Sequence, residues 1–265
     1  MSQFQNTVAQ IASFINGQHP DLCARSVATH KAHLSQKIKN IHNNTIAYGP
    51  FKGMRFTDDS HWSEDDKGPM ILGLYEQELL VELATLKSQY RHFIDLGAAD
   101  GYYGVGTLVN RMFDTSTCYE MSEKGREIIK RNAGLNGVSE RVVIKGEATR
   151  DFAKEWSVSD LEKSILFVDI EGGEFDLLSR DVFKQFSRSV IFVELHELFF
   201  NDGDHRLRSL MDAAHSTHTE RRIRMGQRDL SVYPELARWN DTDRWLLCSE
   251  NRPYLMSWAR FDPIA

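Results

Sequence analysis

Residues 93 to 106, FIDLGAADGYYGVG, constrain the fold more than any other stretch: a short apolar run ends on Asp95 and passes straight into a glycine-rich turn. Phe93 and Ile94 suit a buried strand, Gly97 and Gly101 let backbone approach a ligand, and the Tyr-Tyr-Gly-Val-Gly-Thr-Leu-Val that follows can open a helix. Strand, tight glycine turn and helix in that order make the first unit of an open α/β sheet with a nucleotide-type cofactor at the turn.

The glycine spacing then sorts the cofactors. The dinucleotide fingerprint G-x-G-x-x-G is not met, because the glycines fall at 97, 101, 104 and 106 with Ala99 at the middle position. The G-x-x-x-G-x-G of short-chain dehydrogenases meets Gly97 and Gly101 but then Tyr103, and the pair with Tyr-x-x-x-Lys spacing, Tyr48 and Lys52, precedes the glycines. What remains, D-x-G-x-x-x-G, resembles motif I of the class I S-adenosylmethionine (SAM) methyltransferases. SAM has a zwitterionic methionine end, which turn amides and a carboxylate can bind together, and no pyrophosphate to rest on a helix N-terminus. The expected contacts are Asp95, Gly97, Ala98, Ala99 and Gly101, with Ala99 fitting the turn if its φ stays negative.

A second acid stands at the right distance. After VGTLVNRMF, a helix, the strand STCYE ends on Glu120, nineteen residues past Gly101, where a carboxylate can accept hydrogen bonds from ribose hydroxyls, with Met121 beside it. The following MSEKGREIIKRNAGLNGV reads as a helix closed by Asn136-Gly137, and RVVIKGEAT as a strand and turn. By the same resemblance, Glu147 and Ala148 in that turn contact adenine.

The fourth strand narrows the resemblance. ILFVDIEGGEFDLL, residues 165 to 178, resembles the D-[VI]-E-G-x-E signature of the FkbM-like methyltransferases at Asp169, Ile170, Glu171, Gly172 and Glu174. FKGMRF and GLYEQELL, residues 51 to 56 and 73 to 80, look like that family's lead-in, which adds Glu76 to the cofactor contacts. The similarity covers about residues 50 to 200. It implies a Rossmann-like seven-stranded, mostly parallel sheet with helices on both faces, SAM as cofactor and S-adenosylhomocysteine (SAH) as product. The family's substrates imply a hydroxyl acceptor on a small molecule, a sugar or a secondary metabolite.

Ligands of an open parallel sheet bind outside the carboxyl ends of its strands, which directs attention to Asp169 and to Glu194. SVIFVELHELFF, residues 189 to 200, reads as a buried strand with Glu194, His196 and Glu197 emerging at its end. His196 is the first choice for a base toward a substrate hydroxyl, Asp169 the second. Mg²⁺ on Asp169, Glu171 and Glu194, as in some related O-methyltransferases, is an alternative, but no metal ligand is the preferred expectation. Glu171 and Glu174 are expected to orient the loop, with Gly172 and Gly173 giving it freedom.

Composition sets the outer bounds. A chain of 265 residues with a net charge of −6 suits one α/β core with a small extension and argues against nucleic acid as a partner. Arg221, Arg222 and Arg224 read as a solvated strand face, and Cys23, Cys118 and Cys248, without a C-x-x-C, give no zinc or disulfide framework. MSQFQNTVAQ has neither a basic start nor a long apolar run, so neither signal peptide nor membrane span is expected and a cytoplasmic place is the default. Residues 1 to 70 are read as a helical N-terminal extension and loop, with helices over 4 to 15 and 21 to 42 that could pair two subunits, and residues 71 to 265 as the methyltransferase domain. TDDSHWSEDDKGP, residues 57 to 69, reads as a mobile surface loop, and RRIRM with DRWLLCSE, residues 221 to 225 and 243 to 250, as the antiparallel pair that closes the sheet. Two other classes stay open: a non-catalytic SAM-binding regulator or scaffold, and an NAD(P)-dependent oxidoreductase. A peptide side chain as acceptor also stays open.

Overall fold

The computed structural model describes residues 20–62, 64–250 and 252–264, together with Val8 and residues 11–13. Its regular elements are, in chain order, α1 (Pro20–His42), α2 (Lys67–Ile71), α3 (Gln77–Thr85), β1 (His92–Leu96), α4 (Tyr102–Val109), β2 (Thr115–Tyr119), α5 (Glu123–Leu135) and β3 (Val142–Lys145). There follow α6 (Val158–Leu161), β4 (Ser164–Val168), α7 (Glu174–Leu177), α8 (Arg180–Gln185), β5 (Val190–Leu195), α9 (Gly203–Ala214), β6 (His218–Ile223), α10 (Asp241–Cys248) and β7 (Ser257–Pro263).

The seven strands form one sheet in the order β3-β2-β1-β4-β5-β7-β6. β1 to β5 pair in parallel, while β7 runs antiparallel to both β5 and β6. This is the expected Rossmann-like, seven-stranded, mostly parallel sheet. Strand order reverses between β1 and β4, the switch point at which open α/β sheets bind ligands.

Both faces of the sheet are covered, which explains the unbroken apolar runs of β4 and β5. Phe93, Ile165, Phe167, Val190 and Phe192 point into one core with Leu34, Ile38, Phe51 and Leu80. Their neighbours Ile94, Leu166, Val168, Ile191 and Val193 point into the opposite core with Phe183 and Leu210. The N-terminal segment is therefore continuous with the first core: Leu34 and Ile38 of α1 and Phe51, Met54 and Phe56 after it pack in the same cluster as β1. Of the helix expected over 4 to 15, Phe4 and Ile15 lie outside the described residues, and the described Val8 and residues 11–13 are helical and exposed.

Two expectations are corrected. Residues 243 to 250 form no strand; they lie largely in α10, whose Asn240 side chain accepts from the Asp243 N–H at 2.9 Å and whose Leu247 and Cys248 face inward. The partner of β6 is instead SWARFDP, in register from His218 opposite Pro263 to Ile223 opposite Trp258. Capping at Asn240 and first-turn acids at Asp241 and Asp243 outweigh the β-like look of WLLC.

The 57 to 69 stretch is likewise no free loop. Asp100 accepts from the Ser60 hydroxyl and the His61 N–H, the latter at 2.8 Å, and pairs with buried Lys67 at 3.1 Å. Lys31 and Lys39 of α1 reach Asp66 and Glu64 at 2.5 and 2.8 Å. The acids that suggest solvation from composition alone are held by lysines far along the chain. Along β6 at the sheet edge, Arg221 pairs with Glu82 and Arg222 with Glu220, the charged finish that discourages edge-to-edge pairing. Cys118 and Cys248 are free and buried, and no helix among the described residues is long and apolar enough to cross a membrane.

Candidate functional site

The carboxyl ends of β1, β2 and β4 and the turn after β3 surround a cavity of about 560 Å³, within the roughly 300–1,000 Å³ usual for small-molecule sites. Part of its wall is set by backbone. Gly97 has φ +88°, and a Cβ there would fall 1.7 Å from the carbonyl oxygen of Asp169, so the turns after β1 and β4 touch main chain to main chain. Asp95 anchors the turn: one carboxyl oxygen accepts from the Gly104 N–H at 3.1 Å in the first turn of α4. The other, Oδ1, is buried and has no partner.

Burial, reinforced by the charge of Asp169 and opposed by the Gly104 N–H, pushes the Asp95 carboxyl up to about 8. A carboxyl raised in the folded state stabilises the fold fully only below its ordinary value of 3.8, and that contribution is lost as pH rises toward about 8. Asp95→Asn is therefore expected to raise thermal stability by about 1–2 kcal/mol, roughly 2–6 °C, at pH 8 and by much less at pH 4. Melting curves across that range check this, and equal shifts at both ends would sink it.

Glu120 closes the other side of the turn. Its two oxygens accept from the Ala99 N–H at 2.8 Å and the Ser122 N–H at 2.7 Å, each oxygen keeping a lone pair for a further donor. Ala99 corrects an expectation: its φ is +47°, in the left-handed region, not negative. The Ala99 N–H bond to Glu120 holds this conformation against the usual cost of a Cβ.

Ten of the eleven residues expected at the cofactor line this cavity. They are Glu76, Asp95, Gly97, Ala98, Ala99, Glu120, Met121, Glu147, Ala148 and Asp169. Gly101 does not line it; with φ +80° it caps α4, and a Cβ there would press on Val105 and Ile129. Glu76 is buried and engaged from three directions, by Trp258 Nε1 at 2.9 Å, by the Tyr103 hydroxyl and by Arg252. The sequence reading missed His61 and Trp62 at the wall of the cavity, since their acidic loop looked solvated. A tryptophan among carboxylates was the available signal.

A second cavity of about 320 Å³ adjoins the first and shares Trp62, Tyr75, Asp169 and Glu171 with it. The expected catalytic residues Asp169, Glu194 and His196 all line it. His196 is 1% exposed and held by Glu174, whose Oε1 accepts from both the His196 backbone N–H and Nδ1 at 3.1 Å. Glu174, fully buried, also accepts from the Gly172 N–H at 2.9 Å, so it does orient the loop. Nε2 points at three carboxylates, 3.4 Å from Glu194, 3.5 Å from Glu171 and 3.8 Å from Asp169, and hydrogen-bonds to none of them. Burial pulls the His196 pKa down, but the Glu174 bond and the charges of Glu174, Asp169 and Glu171 outweigh it, so the pKa is raised.

Desolvation, then the charge of Glu76, pushes Asp169 up to about 8 against the opposing pull of His196. Arg252, outside any motif, binds Glu76, Glu194 and Glu250 together. That bond gives Glu194 a structural partner, whereas Asp169, Glu171 and His196 keep atoms directed at one another.

No family model matches the chain, and no curated protein matches it. Among solved structures it is similar to the O-methyltransferase TomG from Streptomyces achromogenes, involved in tomaymycin synthesis and in complex with SAM. Identity there is 15%, over 71% of this chain and 79% of that one, with a TM-score of 0.48. An O-methyltransferase from Bacillus cereus in complex with SAH aligns at 13% identity, over 88% and 90% of the two chains, with a TM-score of 0.46. TYW2 from M. jannaschii, in complex with AdoMet, aligns at 11% identity over 73% and 77%, with a TM-score of 0.45. Likenesses this distant assign no activity.

Proposed function

We propose that this chain is a SAM-dependent methyltransferase that acts on a hydroxyl of a small molecule, consistent with its resemblance to the FkbM-like family. The observation that carries the reading is the pair of adjoining cavities with Asp169 and Glu171 in their common wall, one lined by the expected cofactor residues and one by the acid and histidine cluster. The first suits SAM on its own chemistry. Glu120 keeps lone pairs for ribose hydroxyls, and the unpartnered Asp95 Oδ1 offers an acceptor inside.

SAM, when bound, supplies a methyl group on a positively charged sulfur. Asp95 and Asp169, both inclined to stay protonated in the free protein, would ionise more readily beside such a charge and could hold it. An acceptor hydroxyl entering the second cavity would meet Asp169, Glu171 and His196, which would hold and orient its oxygen for methyl transfer while its proton leaves. Positioning that oxygen about 3 Å from the methyl carbon contributes much of the rate.

Calorimetric titration with SAM, SAH and NAD⁺, repeated on Glu120→Ala, tests the cofactor. Micromolar binding of SAM and SAH is expected, weakened about 10- to 100-fold by the substitution, in line with loss of a charge-assisted hydrogen bond pair. Binding of NAD⁺ alone would overturn the reading.

A further inference from the structure

Asp169, Glu171 and His196 each offer one ligand atom, and these atoms lie within 4.8 Å of one another. Acids gathered at a cleft mouth are ordinary, but the histidine is not. It is 1% exposed, its Nε2 has no hydrogen-bond partner, and that nitrogen is aimed at the carboxylates across the second cavity. A buried imidazole nitrogen left unpaired costs free energy unless something fills its coordination.

The opposite ring nitrogen is bound to a fully buried carboxylate, Glu174, at 3.1 Å, the second contact that fixes the tautomer of a metal-ligating histidine with Nε2 free to coordinate. The spacing comes close. Donors about 2.1 Å from a common ion stand roughly 3.0–3.4 Å apart, and Nε2 lies slightly farther out, 3.5 Å from Glu171 and 3.8 Å from Asp169, so binding an ion asks the side chains to draw in by a few tenths of an ångström. Glu171, at φ +53°, places its carboxylate 3.5 Å from the histidine's Nε2. Glu194, though near, is drawn into its pair with Arg252 and falls outside the set.

We propose that Asp169, Glu171 and His196 form a binding site for a divalent transition metal, one face of which stays open to the second cavity. One imidazole and two carboxylates favour Mn²⁺, Fe²⁺, Co²⁺ or Zn²⁺ over Mg²⁺, which prefers oxygen donors alone. The role of the ion rests on the proposed methyltransferase reading: on its open face it would take the acceptor's oxygen and lower the pKa of that hydroxyl, so that its proton leaves to solvent and not to His196. The ligand class becomes an acceptor with a hydroxyl able to bind a metal, a vicinal diol or a phenol.

The site itself is tested without turnover. Full-length protein is stripped of metal with a chelator, and MnCl₂, ZnCl₂ and MgCl₂ are titrated calorimetrically without SAM, then CoCl₂ by visible absorption. The expected result is one equivalent of Mn²⁺ or Zn²⁺ bound at micromolar Kd, Mg²⁺ at least tenfold weaker, and a Co²⁺ spectrum that His196→Gln changes. Glu171→Gln, a change at a half-exposed side chain that leaves the fold intact, should weaken Mn²⁺ at least tenfold. Absence of saturable binding, or binding that both variants leave untouched, overturns the proposal. Titration of the same preparation with SAH separates the two ideas: metal bound without SAH upholds this site and sinks the methyltransferase reading, and SAH bound without metal does the reverse.

Discussion

Replacing Gly97 with alanine is expected to abolish SAM binding and to lower stability by about 3 kcal/mol or more, roughly 6–12 °C in melting temperature. The added Cβ would meet the Asp169 carbonyl oxygen at 1.7 Å and its carbonyl carbon at 2.8 Å, both main-chain atoms of the turn after β4. A flexible side chain could swing away from such a contact, but these atoms are fixed at the end of a strand paired on both sides. The backbone also has to keep φ +88°, which alanine resists. Gly101→Ala, where the added carbon meets only the side chains of Val105 and Ile129 at 3.2–3.4 Å, should cost less, about 1–2 kcal/mol from its φ of +80°. Ala99→Gly at φ +47° should be neutral or stabilising by up to about 1 kcal/mol. Calorimetry and thermal melts on the three variants check this order, and a Gly97→Ala protein that melts and binds SAM like the parent would show that the two turns are not in contact.

That order separates what the sequence could disclose from what it could not. The β1 turn was legible because its chemistry is local: an acid at a strand end, glycines where backbone must come close, and a second acid one strand later are all set within about thirty residues. The buried, mostly parallel character of the sheet followed, since the apolar runs of β4 and β5 leave no face for solvent. The sign of φ at Ala99 was not legible, because it depends on a carboxylate, Glu120, that reaches across from the next strand.

Long-range charge pairing hid the rest. Nothing in TDDSHWSEDDKGP reveals that Lys31, Lys39 and Lys67 will take up its neighbourhood's acids, and nothing near Arg252 announces that it will gather Glu76, Glu194 and Glu250. At the C-terminus the apolar WLLC gave a strand pattern as good as a helical one over so short a run, and a cap at Asn240 decided between them. His196 was found for a local reason, its place at a strand end, yet the neighbour that fixes its ring, Glu174, stands 22 residues away.

Glu174 is where the second large effect is expected. Its carboxylate, fully buried, accepts from the backbone of Gly172, from the backbone of His196 and from His196 Nδ1. Glu174→Ala strands three donors in a place without water, and at about 1–3 kcal/mol for a buried unsatisfied group the loss should reach roughly 3–5 kcal/mol. Glutamine restores part of this in a direction geometry dictates. Its amide oxygen can serve either His196 or the Gly172 N–H, but its NH₂ must then face the other donor, so Glu174→Gln should recover about half the loss and not all of it. Chemical denaturation of the two variants measures both numbers. Full recovery with glutamine would mean that one of the two contacts carries no weight, and a loss below about 1 kcal/mol for alanine would mean that the turn after β4 and the end of β5 are held together by something other than this side chain.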